Sequence, residues 1–421
     1  MREKNRIMFL LTALRTKGSD LMQYRLSDYR HFPRPVKLIL LTEILFGFAA
    51  GILNVHLNFY YTVAGLSTVD IGSIGVANAL TTALFAILGG LLSGWVGYAP
   101  VFISGTLMQG TGLLLCAATN GFPLILAGQI VYAAGLTLVY AVEFPFITYL
   151  TDNPYKPASY FFLIFFYALS NILGFLTASV LLRFTSGMIN PYRVSIWLSA
   201  AGFLTLSLLR VRLPNAHPQP QGHEKTSFAT VLRSVTARSY LCHHMVYAYG
   251  TSLITSMLNL VYRTAFGFSD ERIGRIFSLA SLVTVCALVF VPMLLEKISS
   301  VRLSGALYWV LFAVLGLSVI APAPLFVVCM LLRTALIQLY PVVIEAQMLN
   351  SLDPALHGRY ASLRILAVSI GTGAGSYTTG LLLAYTDYRL LFVLGMVCAL
   401  IIYCIYRRFC KRAFAAQDAR A

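Results

Sequence analysis

What most constrains this chain is the recurrence, from one end to the other, of apolar runs long enough to cross a bilayer. An α-helix rises 1.5 Å per residue, so roughly 17 to 25 apolar residues span the hydrocarbon core. Twelve such runs are read, from Leu38–Thr62 to Leu390–Tyr406, with only short polar breaks between most of them. With 58% hydrophobic and 11% charged residues over 421 positions, a soluble domain would have nowhere to hide its apolar surface. The solvent implied is lipid.

The formal net charge of +16 does not point to nucleic acid, because the basic residues sort by loop rather than onto one soluble face. They gather before the first span (Arg2 to Lys37), between the sixth and seventh (Arg210, Arg212, Lys225, Arg233, Arg238) and after the last (Arg407, Arg408, Lys411, Arg412, Arg420). The positive-inside bias then predicts both termini in the cytoplasm of a cell (plasma) membrane, and an even number of spans agrees. The seven cysteines lie in or beside apolar runs without CxxC spacing, which suits packing rather than a metal site. The run Ile7–Leu14 has no cleavage site after it and is read as part of a cytoplasmic arm, not a signal peptide.

The chain is also duplicated. Leu57-Asn58-Phe59-Tyr60-Tyr61 aligns with Leu258-Asn259-Leu260-Val261-Tyr262; Val101 and Ser104-Gly105 align with Val301 and Ser304-Gly305, Tyr140 with Tyr340, and Asn153-Pro154 with Asp353-Pro354. An offset near 200 residues uses six spans twice in one orientation. The expected division is an arm at 1–35, a six-helix bundle at 36–212, a cytoplasmic linker at 213–236, a second bundle at 237–408 and a tail at 409–421. The fold class is therefore all-α, a polytopic membrane protein of twelve transmembrane helices in two pseudo-symmetric bundles. Parallel repeats of this kind place a substrate site at the bilayer midplane between the halves.

At this point the chain resembles the major facilitator superfamily over nearly its whole length. That family carries Gly-x-x-x-Asp-Arg-x-Gly-Arg-Arg between the second and third helix of each half. The second half keeps a version of it in Glu296, Lys297 and Arg302, read as a gating loop; the first half reads Gly90 to Pro100 with neither acid nor base. Asn171-Ile172-Leu173-Gly174-Phe175 in the fifth span lacks the Gly-Pro-x-x-Gly-Gly pattern of drug antiporters. The Gly371 to Ser376 run lacks the lysine and preceding strand of a phosphate loop, and suits close helix packing instead.

Charged and polar residues in lipid need a reason, since a charge at a helix centre costs about 2.5–3.5 kcal/mol on insertion scales. At 3.6 residues per turn, Glu43, Asn54, Asn58 and Tyr61 share a stripe of the first span, and His244, Tyr247, Thr251, Thr255 and Asn259 share the equivalent stripe of the seventh. Glu43 and His244 correspond across the repeat. Gln129, Tyr132, Tyr140 and Glu143 fall together on the fourth span; Arg333 and Tyr340 fall together on the tenth. The first, fourth, seventh and tenth helices line the cavity in the resembled fold. Cavity lining and interhelical glue are both open for the amides. Arg333 is the candidate to clasp an acidic substrate group or to hold Glu143; Glu143, Glu43 and His244 are candidates for carrying a proton. Glu345 and Arg364 read as a structural pair.

The expected function is a secondary transporter working by alternating access, proton-coupled, without cofactor or metal, acting as a monomer in the lipid bilayer on a small-molecule substrate. Export of amphiphilic or drug-like compounds and uptake of a sugar or organic anion both fit. A polytopic transferase, with Asp152 or His357 as its acid or base, and a nutrient sensor without flux are the readings from other classes. There is no P-loop for ATP-driven pumping.

Overall fold

The computed structural model describes residues 28–152, 155–185, 187–217, 228–297, 300–340 and 356–410, with positions 344, 348 and 352. Twelve long helices run through the described residues: α1 Arg34–Val63, α2 Thr68–Val96, α3 Tyr98–Ala117, α4 Phe122–Leu150, α5 Lys156–Thr185 and α6 Arg193–Arg210 form the first half. The second half comprises α7 Val235–Thr255, α8 Asp270–Lys297, α9 Ser300–Ile320, α10 Ala323–Tyr340, α11 His357–Tyr385 and α12 Arg389–Ile405. Eight of them are long and apolar enough to cross a membrane on their own composition. The end at which α1 begins is called basal below, and the opposite end distal.

Local chemistry sets several boundaries. Proline in the first turn opens α1 and α4, where its missing N–H has no intrahelical partner to lose. Ser67 and Asp70 close a reciprocal capping box at the start of α2: the Ser67 hydroxyl accepts from the Asp70 amide, and the Asp70 carboxylate accepts from the Ser67 amide at 2.9 Å. Only Gly97, at φ +90°, separates α2 from α3, a left-handed conformation that a Cβ would strain.

Packing repeats the duplication. In the first half α1 lies against α5 and α6, α3 against α6, and α2 against α4; in the second, α7 lies against α11 and α12, α9 against α12, and α8 against α10. Between the halves α2 packs on α11, and α5 packs on α8. Each of these helix pairings in one half has its counterpart in the other. A Cβ added to Gly174 of α5 would stand 2.3 Å from the Phe48 carbonyl oxygen of α1, and one added to Gly375 of α11 would stand 2.5 Å from the Tyr249 carbonyl oxygen of α7. Without side chains there, the helix backbones approach closely enough for dispersion to hold them together where lipid supplies no hydrophobic drive.

The seventh span departs from the continuous run expected over Tyr240–Val261. Helix α7 ends at Thr255, and a separate turn, Leu258–Thr264, follows. The Ser256 carbonyl within the break accepts a hydrogen bond from Asn58 of the opposite half at 2.8 Å. A broken helix is tolerated in a membrane where protein groups satisfy the freed backbone.

Candidate functional site

The halves enclose a crevice of about 690 Å³, walled by α2 on one side and by α7, α10 and α11 on the other. Its polar lining includes Asn78, Thr82, Thr251, Arg364 and Thr372. The cross-bundle hydrogen bonds between described residues lie at mid-depth or toward the distal end. Asn58 donates to the Asn259 side chain at 2.8 Å, Asn259 donates to the Val55 carbonyl at 3.0 Å, and Thr68 donates to the Gly380 carbonyl at 2.8 Å. Farther out, Arg183 meets Glu271 at 2.9 Å, and Tyr192 donates to Asp270 at 2.8 Å. Arg263 pairs with that same Asp270 and lies 3.7 Å over the Phe59 ring of the first half. The distal end is thus latched by amides, ion pairs and a cation–π contact.

Of the residues singled out in the sequence, His244, Tyr247, Thr251, Thr255 and Tyr340 line this crevice. Asn58 and Asn259 form its distal bridge instead, and Asn54 is exposed on α1. On α4, Gln129 is buried and accepts from Asn78 at 3.3 Å, Tyr132 is half-buried, and Tyr140 is exposed with its ring edge toward Phe46. Tyr61 is buried with its hydroxyl unpartnered among the described residues.

Arg333 turns away from the crevice into the interior of the second half. It is buried at 3% exposure, donates to the Thr251 carbonyl at 3.1 Å, and forms no ion pair with a described residue. The expected alternative, a clasp on Glu143, is not made. Glu143 is buried near Glu43, with its Oε1 unpartnered among the described residues. Glu43 in turn accepts from Arg210 at 2.6 Å, with both side chains of that ion pair withdrawn from solvent. Arg210 also donates to Thr42 at 3.2 Å and lies 3.7 Å over the Phe102 ring. Two carboxylates held close together repel each other, so a proton on one of them would relieve the pair. With one guanidinium to two carboxyls, a single proton makes this cluster neutral.

His244 belongs to a hydrogen-bonded chain. Tyr308 hydroxyl and His243 Nε2 are 2.7 Å apart, His243 Nδ1 and Tyr340 hydroxyl 3.1 Å, and Tyr340 hydroxyl and His244 Nδ1 3.0 Å. A phenol donates one proton, so Tyr340 donates to at most one of the two imidazoles and accepts from the other, and the tautomers along the chain are linked through it. Tyr247 stacks on Tyr340 with centroids 3.5 Å apart.

Arg302 is exposed near the start of α9, while the side chains of Glu296 and Lys297 lie outside the described residues. So do Glu345 and the His357 side chain, and with them the expected Glu345–Arg364 pair; Asp152 is exposed. Arg210 is the residue that sequence reasoning missed. It ends an apolar run and reads as a loop cation.

Residues 39–338 match the description of one protein family, the Major Facilitator Superfamily. The chain belongs to that superfamily. No curated protein matches it in sequence. Among solved structures, the nucleoside transporter NupG superposes with a TM-score of 0.74 at 11% identity, over 90% of this chain and 99% of that one. A bacterial homologue of the human lysosomal transporter Spinster, in an inward-facing and unoccupied conformation, gives 0.73 at 15%, over 91% and 97%. The fucose:proton symporter FucP of E. coli gives 0.61 at 17%, over 89% and 98%. At such identities the shared property is the fold, that of a multi-pass membrane transporter.

Within the superfamily's fold, the α2–α3 junction is held in an unusual way. Where the loop signature would supply acid and base, Asn215 donates to the Val96 carbonyl at 2.9 Å, and the Tyr98 amide donates to the Ala216 carbonyl at 2.7 Å. The chain leaving α6 thus pins the turn by backbone contacts that carry no charge.

Proposed function

We propose that this protein is a secondary transporter moving a small solute across the cell membrane by alternating access, driven by the proton gradient. The observation that carries the reading is the crevice between the halves, with the cross-bundle hydrogen bonds among the described residues lying at mid-depth or toward the distal end. A site that two rocking bundles expose alternately needs this arrangement. The basic residues of the α6–α7 connection and of the chain after α12 adjoin the basal end, so positive-inside bias makes that end cytoplasmic and the described conformation open inward. The Glu43–Glu143–Arg210 cluster supports proton coupling. It is buried, has two carboxyls for one cation, and leaves Glu143 Oε1 without a partner among the described residues. Fold likeness to a fucose:proton symporter is compatible with that coupling.

Proteoliposomes given a mixed metabolite pool, with and without an imposed pH gradient, test the reading, with uptake read by mass spectrometry. Accumulation is expected only with the gradient. Glu143→Gln is expected to abolish accumulation while leaving counterflow exchange; accumulation surviving in that variant would remove Glu143 as the proton carrier. Binding without any flux would make the protein a sensor.

A further inference from the structure

Behind the crevice, inside the second half, Arg333 borders a small cavity of about 20 Å³ walled by α7, α9, α10 and α12. No aspartate or glutamate occurs in any of those four helices. The described acids of the second half, Asp270, Glu271 and Asp387, are paired with Arg263, Arg183 and Arg389. A guanidinium carries five N–H donors and does not give up its charge in a protein. Among the described residues, that of Arg333 is bonded to the Thr251 carbonyl alone, and one carbonyl dipole does not cancel a unit charge. Tyr247 borders the same cavity, and its hydroxyl is buried with no partner among the described residues. Much of the remaining lining is apolar, with Ile254, Leu311, Leu315 and Ile402.

A buried charge is costly unless it is paired, and no acid of these helices can do the pairing. We propose that the cavity is a binding site for a chloride ion, held by the Arg333 guanidinium and the Tyr247 hydroxyl as a resident counter-ion inside the second half. Size sets the class of ligand. About 10–15 Å³ of such space accommodates one water, so about 20 Å³ takes one monoatomic ion and shuts out a carboxylate or a phosphate. Water has the size but not the charge. The apolar lining selects further: stripping water from an ion costs less as its radius grows, so chloride and bromide are admitted and fluoride is not. Tyr247, Thr251 and Ile337 line the crevice as well as the cavity, which makes that wall the way in. The site requires no movement of solute, so it goes beyond the transporter reading and is tested apart from it.

Thermal melting of the purified protein at constant ionic strength tests the site. The melting temperature is expected to rise by about 3 °C, saturably, as chloride replaces gluconate. Bromide should act as chloride does, and fluoride as gluconate does. Tyr247→Phe keeps the ring that stacks on Tyr340 and removes only the hydroxyl, so the chloride concentration at half-saturation should rise about ten-fold. Arg333→Gln should abolish the chloride response, and Arg333→Lys should keep part of it, which separates loss of charge from loss of fold. Should Arg333→Gln fail to fold, crystals of the native chain grown in bromide decide the matter, with an anomalous peak expected in contact with the guanidinium. Water alone at that position, stabilisation by gluconate or fluoride equal to that by chloride, or a half-saturation unchanged in Tyr247→Phe overturns the proposal.

Discussion

Asn58 and Asn259, equivalent positions of the two halves, hydrogen-bond to each other across the interface, Nδ2 to Oδ1 at 2.8 Å. The same Asn58 amide donates to the Ser256 carbonyl, which the break in α7 has freed. A symmetric pair thus seals an asymmetric defect. Removing it leaves a partly buried carbonyl without its partner, at a cost toward the low end of about 1–3 kcal/mol. Asn58→Ala should therefore shift the population away from the distally latched state by ten-fold or so. Spin labels at Ala118 and Pro322, on the distal ends of the third and ninth helices, should report a longer distance in that variant. An unchanged distance distribution would show that the amides are packing residues and not a latch.

The Arg210–Glu43 pair makes a second, separable claim. Taking one partner from a buried ion pair typically costs about 3–5 kcal/mol, because the other is left charged in a dry site. Arg210→Met should lower thermal stability strongly, since Glu43 and Glu143 then face each other without a cation. The double variant Arg210→Met, Glu43→Leu should recover most of that loss, an apolar pair being close to neutral in exchange for an ionic one. It should nonetheless fail to accumulate solute on a pH gradient. Size-exclusion profiles after heating would measure the first part, and proteoliposome uptake the second. Full gradient-driven uptake by the double variant would make the cluster purely structural.

Much of the fold was legible because lipid forces a coarse and regular signal: span length, loop charge and the duplication each leave marks that no tertiary detail is needed to read. The repeat even placed Asn58 opposite Asn259. The partner of Glu43 was hidden for a physical reason. Helical periodicity says which residues of one helix share a face, but not what the neighbouring helix presents to it, and Arg210 ends an apolar run as a loop residue would. Likewise the depth of Arg333 could be counted, whereas its direction depends on how α10 is rotated against α7. The break at Ser256–Met257 has neither proline nor glycine to announce it.

The two glycines at Gly174 and Gly375 offer a test of symmetry itself. A methyl at either would meet a carbonyl oxygen, 2.3 Å away at Phe48 and 2.5 Å away at Tyr249. Backbone cannot yield as a side-chain tip can, so each helix pair must separate. Overpacking of this kind costs about 1–3 kcal/mol. Gly174→Ala and Gly375→Ala should lower the melting temperature by similar amounts, read on purified protein in one detergent. A large loss at one position and none at the other would mean that the two halves are packed on different principles.

Acid should loosen the outermost latch. Glu271 stands at the distal start of α8, where it accepts from Arg183 of the first half and from Arg275 of its own helix. The Arg183 hydrogen bond is the largest of the influences that hold its carboxyl below the ordinary value of 4.5. A carboxyl whose pKa is depressed in one state stabilises that state above the ordinary value, and the stabilisation is lost as pH falls through the depressed value. The labels at Ala118 and Pro322 should thus move apart as pH falls below the ordinary carboxyl value of 4.5 and through the depressed one. The pair is partly exposed, so the shift should be no more than a few-fold and should shrink with added salt. Glu271→Gln should start from the loosened position and lose this part of the pH response. Acidification that tightened the distal end, or an identical response in Glu271→Gln, would assign the pH dependence to other groups and leave the Arg183–Glu271 bridge as a surface contact without a gating role.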